Sequence, residues 1–572
     1  MRFADRIAML CAAIILLPLL ATIASAAAAN DLAIVRPVIA CADLASIDLT
    51  AIGDVGSKVS SATETNSSNI AVCSVEGKLA PEINFQVLLP VRTWTQRYLQ
   101  TGCGGLCGRI SLESGASNGC QVLNDGGFVM AATDMGHSGN DASWGQDAQK
   151  RVDFAYRAQH LTAETAKALI AAFYGQPQKF SYFNGCSDGG REALMEAQRY
   201  PDDFDGVIAG APAMLFQVQN TLYHGWQAVS NTTDDGSHTL LSAALPILHK
   251  AVIAACGETD GVKDGIIAQP AACNFDISTI TCKPDTADAL SCLSKAEAEV
   301  AQRFHDGPKD AASGAYLTAG QPLYGSELNW QGVYVPDAAD GSIMSTMAAL
   351  PVLRYLAFAQ ARPDLEIEDL AFTQATLDAL RPRHPLFDST NADLSAFAKT
   401  GGKLIMWHGL ADPHISPANT VALHKAMIAH LGEANVEAFE RLYLLPGVSH
   451  CGGGQGPGNL DLLTAVMAWV EQGAAPDVIL TSTEGKPSTF GQPGFSDDNA
   501  KDHGPPPMQK LDVEPLPAMT RPVYPYPHTA RYKDAGDVTS AANWEKGPPA
   551  KIVKLREWPG ADLFSPYSPA AE

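Results

Sequence analysis

A chain of 572 residues with 62 aspartates and glutamates against 39 lysines and arginines carries a formal charge of −23. So acidic a surface argues against nucleic acid and anionic membrane as partners, because both would be repelled. The length exceeds what one ordinary hydrophobic core fills, which points to one large domain carrying an insertion.

The chain opens on a basic start, an apolar run from Ile7 to Ile23 and the small-residue site Ala24-Ser25-Ala26. That order reads as a secretory signal peptide over residues 1–26, cut near Ala26. A transmembrane anchor is the competing reading, but Pro18 interrupts the run and small residues end it. No later stretch is apolar enough to span a bilayer. The expectation is a secreted or periplasmic protein with no membrane anchor in its mature form. Of 12 cysteines only Cys11 falls in the leader. The rest should be mostly disulfides in an oxidising compartment, and their odd number leaves at least one unpaired or intermolecular. Spacing suggests two local loops, Cys256 to Cys273 and Cys282 to Cys292; other pairings cannot be read from spacing.

Ile83 to Pro90, INFQVLLP, alternates as a strand does. After Trp94 to Gln100 comes a glycine-rich loop, Thr101-Gly102-Cys103-Gly104-Gly105-Leu106-Cys107-Gly108. It has no GKS/T and no basic residue before Arg109, which argues against a phosphate cradle. In a hydrolase such a loop forms one wall of an oxyanion hole, where the N–H of Gly104 or Gly105 can approach a substrate oxygen. A plain tight turn is the alternative. Phe128 to Thr133 is a further buried strand, and Thr162 to Tyr174 an amphipathic helix opened by Thr162 and closed at Gly175.

The stretch from Lys179 to Tyr200, KFSYFNGCSDGGREALMEAQRY, organises the rest. Lys179 to Asn184 alternates aromatic and polar residues, Gly185-Cys186-Ser187-Asp188-Gly189 breaks the pattern, and Arg191 to Tyr200 reads as a helix closed by Pro201. Strand, tight turn with serine at its apex and helix make a nucleophile elbow. The first helical turn then offers free N–H groups, including that of Asp188, to an oxyanion beside Ser187. Gly115-Ala116-Ser117-Asn118-Gly119 matches the same GxSxG pattern, but with no strand before it and no helix after it Ser117 reads as loop.

Gly206 to Gly210 resumes the strand pattern, and strands alternating with helices on both sides of Ser187 indicate a doubly wound, mostly parallel α/β sheet. From about Ala213 to Gly401 the character changes to mixed helices, loops and cysteines, the candidate inserted domain. Within it Cys256 to Ile266, CGETDGVKDGI, spaces acidic residues around two glycines. Hard oxygen ligands at that spacing suit calcium; the alternative is a solvated acidic turn. The sheet resumes at Gly402 to Trp407, and the turn after it carries Asp412, where a triad acid belongs. Arg441 to Leu445 precedes the turn with His450, and a helix follows from Asn459 to Glu471. Ser187, Asp412 and His450 thus stand in the chain order of an α/β-hydrolase. Cys186 precedes Ser187 and Cys451 follows His450, so a working triad would bring the two thiols together as a disulfide clamp.

These residues resemble the tannase/feruloyl esterase family, which also contains bacterial mono(hydroxyethyl) terephthalate hydrolases. The likeness runs through INFQVLLP, TGCGG, GCSDGGREALMEAQRYPDDFDGVIAGAPA, CGETDGVKDGI, HGLADPHISP and GVSHC to RPVYPYPHTARY at Arg521 to Tyr532. It implies an α/β-hydrolase core over residues 27–212 and 401–572 with a lid over 213–400. It also implies no organic cofactor, a structural calcium, and hydrolysis of hydroxycinnamate, gallate or similar aromatic esters. The implied calcium ligands are Asp260, Asp264 and the carbonyls of Val262 and Ile266. The family's loop begins with an aspartate where Gly257 stands, leaving Glu258 as the candidate substitute. A C-terminal cysteine pair of many members is replaced here by Tyr524 and Glu545.

In the lid, Trp330, Tyr334, Tyr355 and Phe358 are candidates to sandwich a phenyl ring, and Arg354 to meet a substrate carboxylate. Ordinary lid packing is the competing account. Other secreted serine hydrolases (exopeptidase, lactonase, acyltransferase) and a silent binding protein on the same fold are the alternatives. Gly491 to Pro507, rich in proline and glycine, reads as a surface excursion.

Overall fold

The computed structural model describes residues 31–139, 141–258, 260–283, 291–484, 511 and 513–569. The expected signal peptide and the 491–507 excursion lie outside the described residues. Nine strands form the main sheet: β1 (Lys58–Ser67), β2 (Ile70–Leu79), β3 (Ile83–Pro90), β4 (Arg97–Thr101), β5 (Phe128–Thr133), β6 (Phe180–Cys186), β7 (Gly206–Gly210), β8 (Lys403–Gly409) and β9 (Glu440–Leu445). Their spatial order is β1-β2-β3-β5-β4-β6-β7-β8-β9. The pairs from β1 to β5 are antiparallel and those from β5 through β9 are parallel. This is the mostly parallel α/β-hydrolase sheet, extended at one edge by a hairpin. The outer strand of that hairpin has no apolar run to announce it: β1, KVSSATETNS, is largely exposed, as suits an edge strand.

Neighbouring residues on a strand point to opposite faces, and the core divides accordingly. Tyr98, Phe183, Val207 and Met406 belong to one apolar layer, while Leu99, Tyr182, Ile208 and Ile405 belong to the other. Helices α1 (Ala158–Tyr174) and α2 (Asp188–Arg199) cover the first layer. Both faces being covered, the inner strands are apolar almost throughout rather than alternating. Thr162 does not open α1: the helix continues a π-helical turn at Asp153–Arg157, and Thr162 is a buried interior residue. Its end is as expected, with Gly175 at φ 70°.

Residues 211–402 intervene between β7 and β8. Part of this insertion has a core of its own, built by α3 (Leu245–Cys256), α4 (Lys295–Asp306) and the segment around Trp330. Another part, including α5 (Met344–Tyr355) and residues 377–397, packs into the main core. Helix α6 (Pro417–Leu431) then returns to the first face and α7 (Leu462–Gln472) covers the second. Asp461 caps α7 by accepting from Thr464 N–H at 2.9 Å, so the helix starts three residues later than its sequence suggests. No helix among the described residues is long and apolar enough to cross a membrane.

Candidate active site

Strand β6 delivers Ser187 at its carboxyl end and α2 begins at the next residue. To turn so sharply the serine adopts φ 64° and ψ −122°, a conformation L-residues occupy only when their surroundings enforce it. The surroundings do so by backbone bonds: Ser187 N–H donates to Gly210 O (3.0 Å), and Ser187 O accepts from Gly190, Arg191 and Ala213 N–H. Close packing explains the flanking glycines. A Cβ on Gly185 would lie 2.2 Å from Gly189 O, and one on Gly189 would lie 2.9 Å from the Gly102 carbonyl carbon. The elbow therefore rests directly on the glycine-rich loop after β4.

In that loop Gly105 has φ 64°, and neither Gly104 nor Gly105 N–H donates to a protein acceptor among the described residues. Cys103 and Cys107 are bonded to each other, which staples the loop shut around the two glycines. Asp188 is buried, and its carboxylate is held bidentately by Arg191 (2.6 and 2.9 Å), away from the histidine. Ser117 Oγ donates to Ser114 O in a loop, as its context implied.

Asp412, after β8, is fully buried and accepts from four donors. They are His450 Nδ1 (2.7 Å), His408 Nε2 (3.0 Å) and the backbone N–H groups of His414 (2.7 Å) and Ile415 (3.1 Å). Burial alone would raise its pKa, but the two imidazoles outweigh it and hold the carboxyl far below its ordinary value. Facing a carboxylate, His450 Nδ1 carries the ring proton, so Nε2 is left as a base. The Cys186–Cys451 disulfide, with Cα atoms 5.9 Å apart, ties the residue before Ser187 to the residue after His450. Cys41–Cys73, Cys256–Cys273 and Cys282–Cys292 are also bonded, and Cys120 is a buried free thiol.

Three further histidines join this site without having been singled out in the sequence. His408 also faces Thr420 Oγ1 (2.7 Å) and Ile415 O (3.0 Å). The His414 ring lies 4.8 Å from that of His450, and its Nδ1 is buried without a hydrogen-bond partner among the described residues. His224 stands 6.0 Å behind His414, and burial pushes its pKa down to about 3. The signal was the HGLADPHISP run itself: His408 stands four positions before Asp412 and His414 two after. The insertion grips this turn through Gln219 to His414 O, Tyr223 OH to Pro413 O (3.0 Å) and Asn329 Nδ2 to Ala411 O (3.0 Å).

The proposed substrate contacts are not gathered in one place. Trp330 and Tyr334 are fully buried in the insertion's own core, Trp330 donating to Ser326 Oγ at 3.0 Å and packing on Phe304. They present no face to a ligand, because the segment needs them as its core. Arg354 donates to Leu365 O (2.7 Å) and Glu366 Oε1 (3.0 Å), closing a turn of the insertion. Phe358 is nearly buried, under the Arg362 guanidinium at 3.8 Å. Tyr355 is half-buried.

In the acidic loop, Asp260 Oδ1 accepts from Val262 N–H (3.1 Å) and Asp264 Oδ1 from Ile266 N–H (3.0 Å). Burial, with the charge of Asp264 added, pushes the Asp260 carboxyl up to about 6. Two acidic side chains, one of them disfavoured as an anion by burial and by its neighbour, fit a hard cation, although they fall short of the six to eight oxygens calcium takes. Glu258 does not complete the set, since it is exposed and paired with Lys263. Asp264 Oδ2 is paired with Arg521 (2.9 Å), which stacks on Trp544 at 3.6 Å.

An α/β sheet with a strained serine after its central strand, and an Asp–His pair on its last two turns, defines an α/β-hydrolase. The chain belongs to the tannase and feruloyl esterase family, whose profile matches residues 67–546, and it is a carboxylic ester hydrolase. Among its relatives is a mono(2-hydroxyethyl) terephthalate hydrolase of Piscinibacter sakaiensis, 30% identical, with 82% of this chain and 84% of that one covered. Another is a probable feruloyl esterase B-2 of Aspergillus flavus, 32% identical, covering 71% of this chain and 78% of that one. In fold it is similar to a crystal structure of feruloyl esterase B from Aspergillus oryzae, with a TM-score of 0.71, 24% identity, and 87% and 100% coverage.

Proposed function

We propose that this protein is a secreted or periplasmic serine hydrolase that cleaves esters of aromatic carboxylic acids through an acyl-enzyme on Ser187. The observation that carries the reading is the disulfide joining Cys186 to Cys451, which holds the strained Ser187 turn beside the His450–Asp412 pair. His450 Nε2 takes the Ser187 proton as Oγ attacks the ester carbonyl carbon, and Asp412 stabilises the imidazolium that forms. The tetrahedral oxyanion is held by the N–H of Asp188 and that of Gly104 or Gly105. His450 then gives its proton to the departing alcohol, and a water activated by the same ring releases the acid. The relatives that act on terephthalate monoesters and feruloyl esters support an aromatic acyl group.

The insertion over residues 213–400 serves as the lid over this site in our reading, and five disulfides support export to an oxidising compartment. A structural calcium held by Asp260, Asp264 and the carbonyls of Val262 and Ile266 belongs to the same proposal. It neutralises the paired carboxylates and takes no part in the chemistry. Turnover of methyl gallate, methyl ferulate and mono(2-hydroxyethyl) terephthalate, with Ser187→Ala as control, tests the proposal. One ester cleaved well and a dead alanine variant are expected. Labelling of Ser187 by a fluorophosphonate without turnover of any of the three would retain the serine and reject the aromatic ester.

A further inference from the structure

Behind the glycine-rich loop lies a buried polar network that the chemistry above does not use. Glu192, on α2, is 1% exposed. Its Oε2 accepts from Cys103 N–H at 3.2 Å and from the Gln159 side-chain amide at 2.5 Å. Gln159 in turn accepts from Gln100 Nε2 of β4 at its side-chain oxygen (2.5 Å) and its carbonyl (2.9 Å). The other oxygen, Oε1, lies 2.9 Å from Cys103 Sγ and 3.2 Å from Cys107 Sγ. Those sulfurs are bonded to each other and have no proton to give. The contact is attractive when the carboxyl carries the proton and the sulfur accepts it. Burial, and the charge of Asp188 after it, push Glu192 toward that neutral form.

The loop has little other freedom. A Cβ on Gly102 would lie 2.6 Å from Gly189 Cα and 2.8 Å from Glu192 Oε2, so the chain is wedged between helix and carboxyl. From there the Cys103–Cys107 bond fixes both ends of the segment that carries Gly104 and Gly105. We propose that Glu192 is a positioning residue for ester hydrolysis, its carboxyl fastening the Cys103–Cys107 staple to α2 and so setting the Gly104 and Gly105 N–H groups at the oxyanion. This inference rests on the Ser187 reading above. It assigns to the helix behind the nucleophile the alignment of the opposite wall, so that both oxyanion donors are referred to one rigid element.

The test compares Glu192→Ala with Glu192→Gln on whichever ester the wild type turns over best. Loss of one oxyanion donor costs about 10²–10³ in kcat. Misaligned donors in Glu192→Ala should therefore lower kcat about 10- to 100-fold, with KM within about threefold. Glu192→Gln keeps an oxygen for Cys103 N–H and a donor for sulfur, and should recover most of that kcat. Cys103→Ser with Cys107→Ser frees the staple by another route and decides the matter if Glu192→Ala does not fold: it should reproduce the kcat loss at unchanged KM. Unimpaired kcat in Glu192→Ala, a loss confined to KM, or a Gln variant as slow as the Ala variant would overturn the inference. So would an unimpaired double serine variant. Full turnover by Ser187→Ala would instead overturn the underlying reading, and the inference with it.

Discussion

Cys186 and Cys451 are separated by 265 positions of sequence, yet a disulfide holds their Cα atoms 5.9 Å apart. The bond spans the whole insertion and closes directly between the elbow and the histidine turn. Cys451 itself has φ 57°, so both turns reach the bond in conformations the chain adopts unwillingly. Positions of Ser187 and of His450 are thereby coupled by covalent bonds rather than by packing alone.

Replacing both cysteines by serine should therefore injure catalysis more than folding. Removing a long-loop disulfide costs about 2–5 kcal/mol, which a domain with two large apolar layers and four other disulfides can survive. The kcat should fall at least tenfold while KM stays within a few-fold, because His450 loses its fixed distance to Ser187. Denaturant unfolding and steady-state kinetics on the same preparation separate the two effects. Unchanged kcat would show that the loops hold register without the bond.

The four donors on Asp412 are unequal in what they do. Asp412→Asn removes the charge that stabilises the His450 imidazolium and should reduce kcat about 10³- to 10⁴-fold. His408→Leu leaves Asp412 its charge, its His450 bond and two backbone N–H groups. It should cost about 1.5–3 kcal/mol of stability, the worth of a hydrogen bond to a charged group, and a kcat loss at least a hundredfold smaller than that of Asp412→Asn. Comparable kcat losses in the two variants would make His408 part of the proton chemistry.

Most of the parallel sheet was legible because most of its strands are apolar runs ending in a glycine-bearing turn, and the turns that carry Ser187, Asp412 and His450 could be placed at their ends. The outer strand β1 was not, since a largely exposed edge strand has no apolar pattern to display. Trp330 shows the opposite failure. A large aromatic residue reads identically whether it lines a cleft or fills a core, and only the insertion's own packing around Phe304 and Tyr334 decides. His408 was visible in the HGLAD run but its bond to Asp412 depends on the turn between them, which bends both side chains to one point. The Cys103–Cys107 bond was likewise illegible, because spacing alone leaves the partners of Cys41, Cys73, Cys103, Cys107 and Cys120 open.

Calcium should raise the unfolding temperature of chelator-treated protein, and the loop's two aspartates should respond differently. With chelator present, Asp260→Asn should change stability little, since it relieves a carboxylate that burial and Asp264 already disfavour. Asp264→Asn should cost about 3–5 kcal/mol under the same conditions, because it strands the buried Arg521 guanidinium. With calcium present, both variants should lose the metal-dependent increment, which amounts to about 2.7 kcal/mol at a hundredfold excess over Kd. Differential scanning with and without the ion reads all four numbers. No shift in wild type would mean that Arg521 alone serves as the loop's cation.

Stability should also depend on pH through His424 and Glu440, which bind α6 to β9 by a buried contact of 2.9 Å. Burial alone would lower the imidazole's pKa, but the Glu440 carboxylate outweighs it and raises the value above 6.5. Lys425 opposes this and Glu433 assists it, while the ring of Tyr526 meets the imidazole edge-on at 5.5 Å without charge. A group that binds its proton more tightly folded than unfolded stabilises fully below its unfolded pKa. That contribution is lost as the pH rises through the folded value. The melting temperature of wild type should thus fall more steeply above pH 6.5 than that of His424→Gln, and the two curves should run parallel below it. Glu440→Gln should flatten the same limb, since it removes the charge that raised the pKa. Parallel curves across the whole range would show that His424 binds its proton equally well folded and unfolded, so that the Glu440 charge does not raise its pKa.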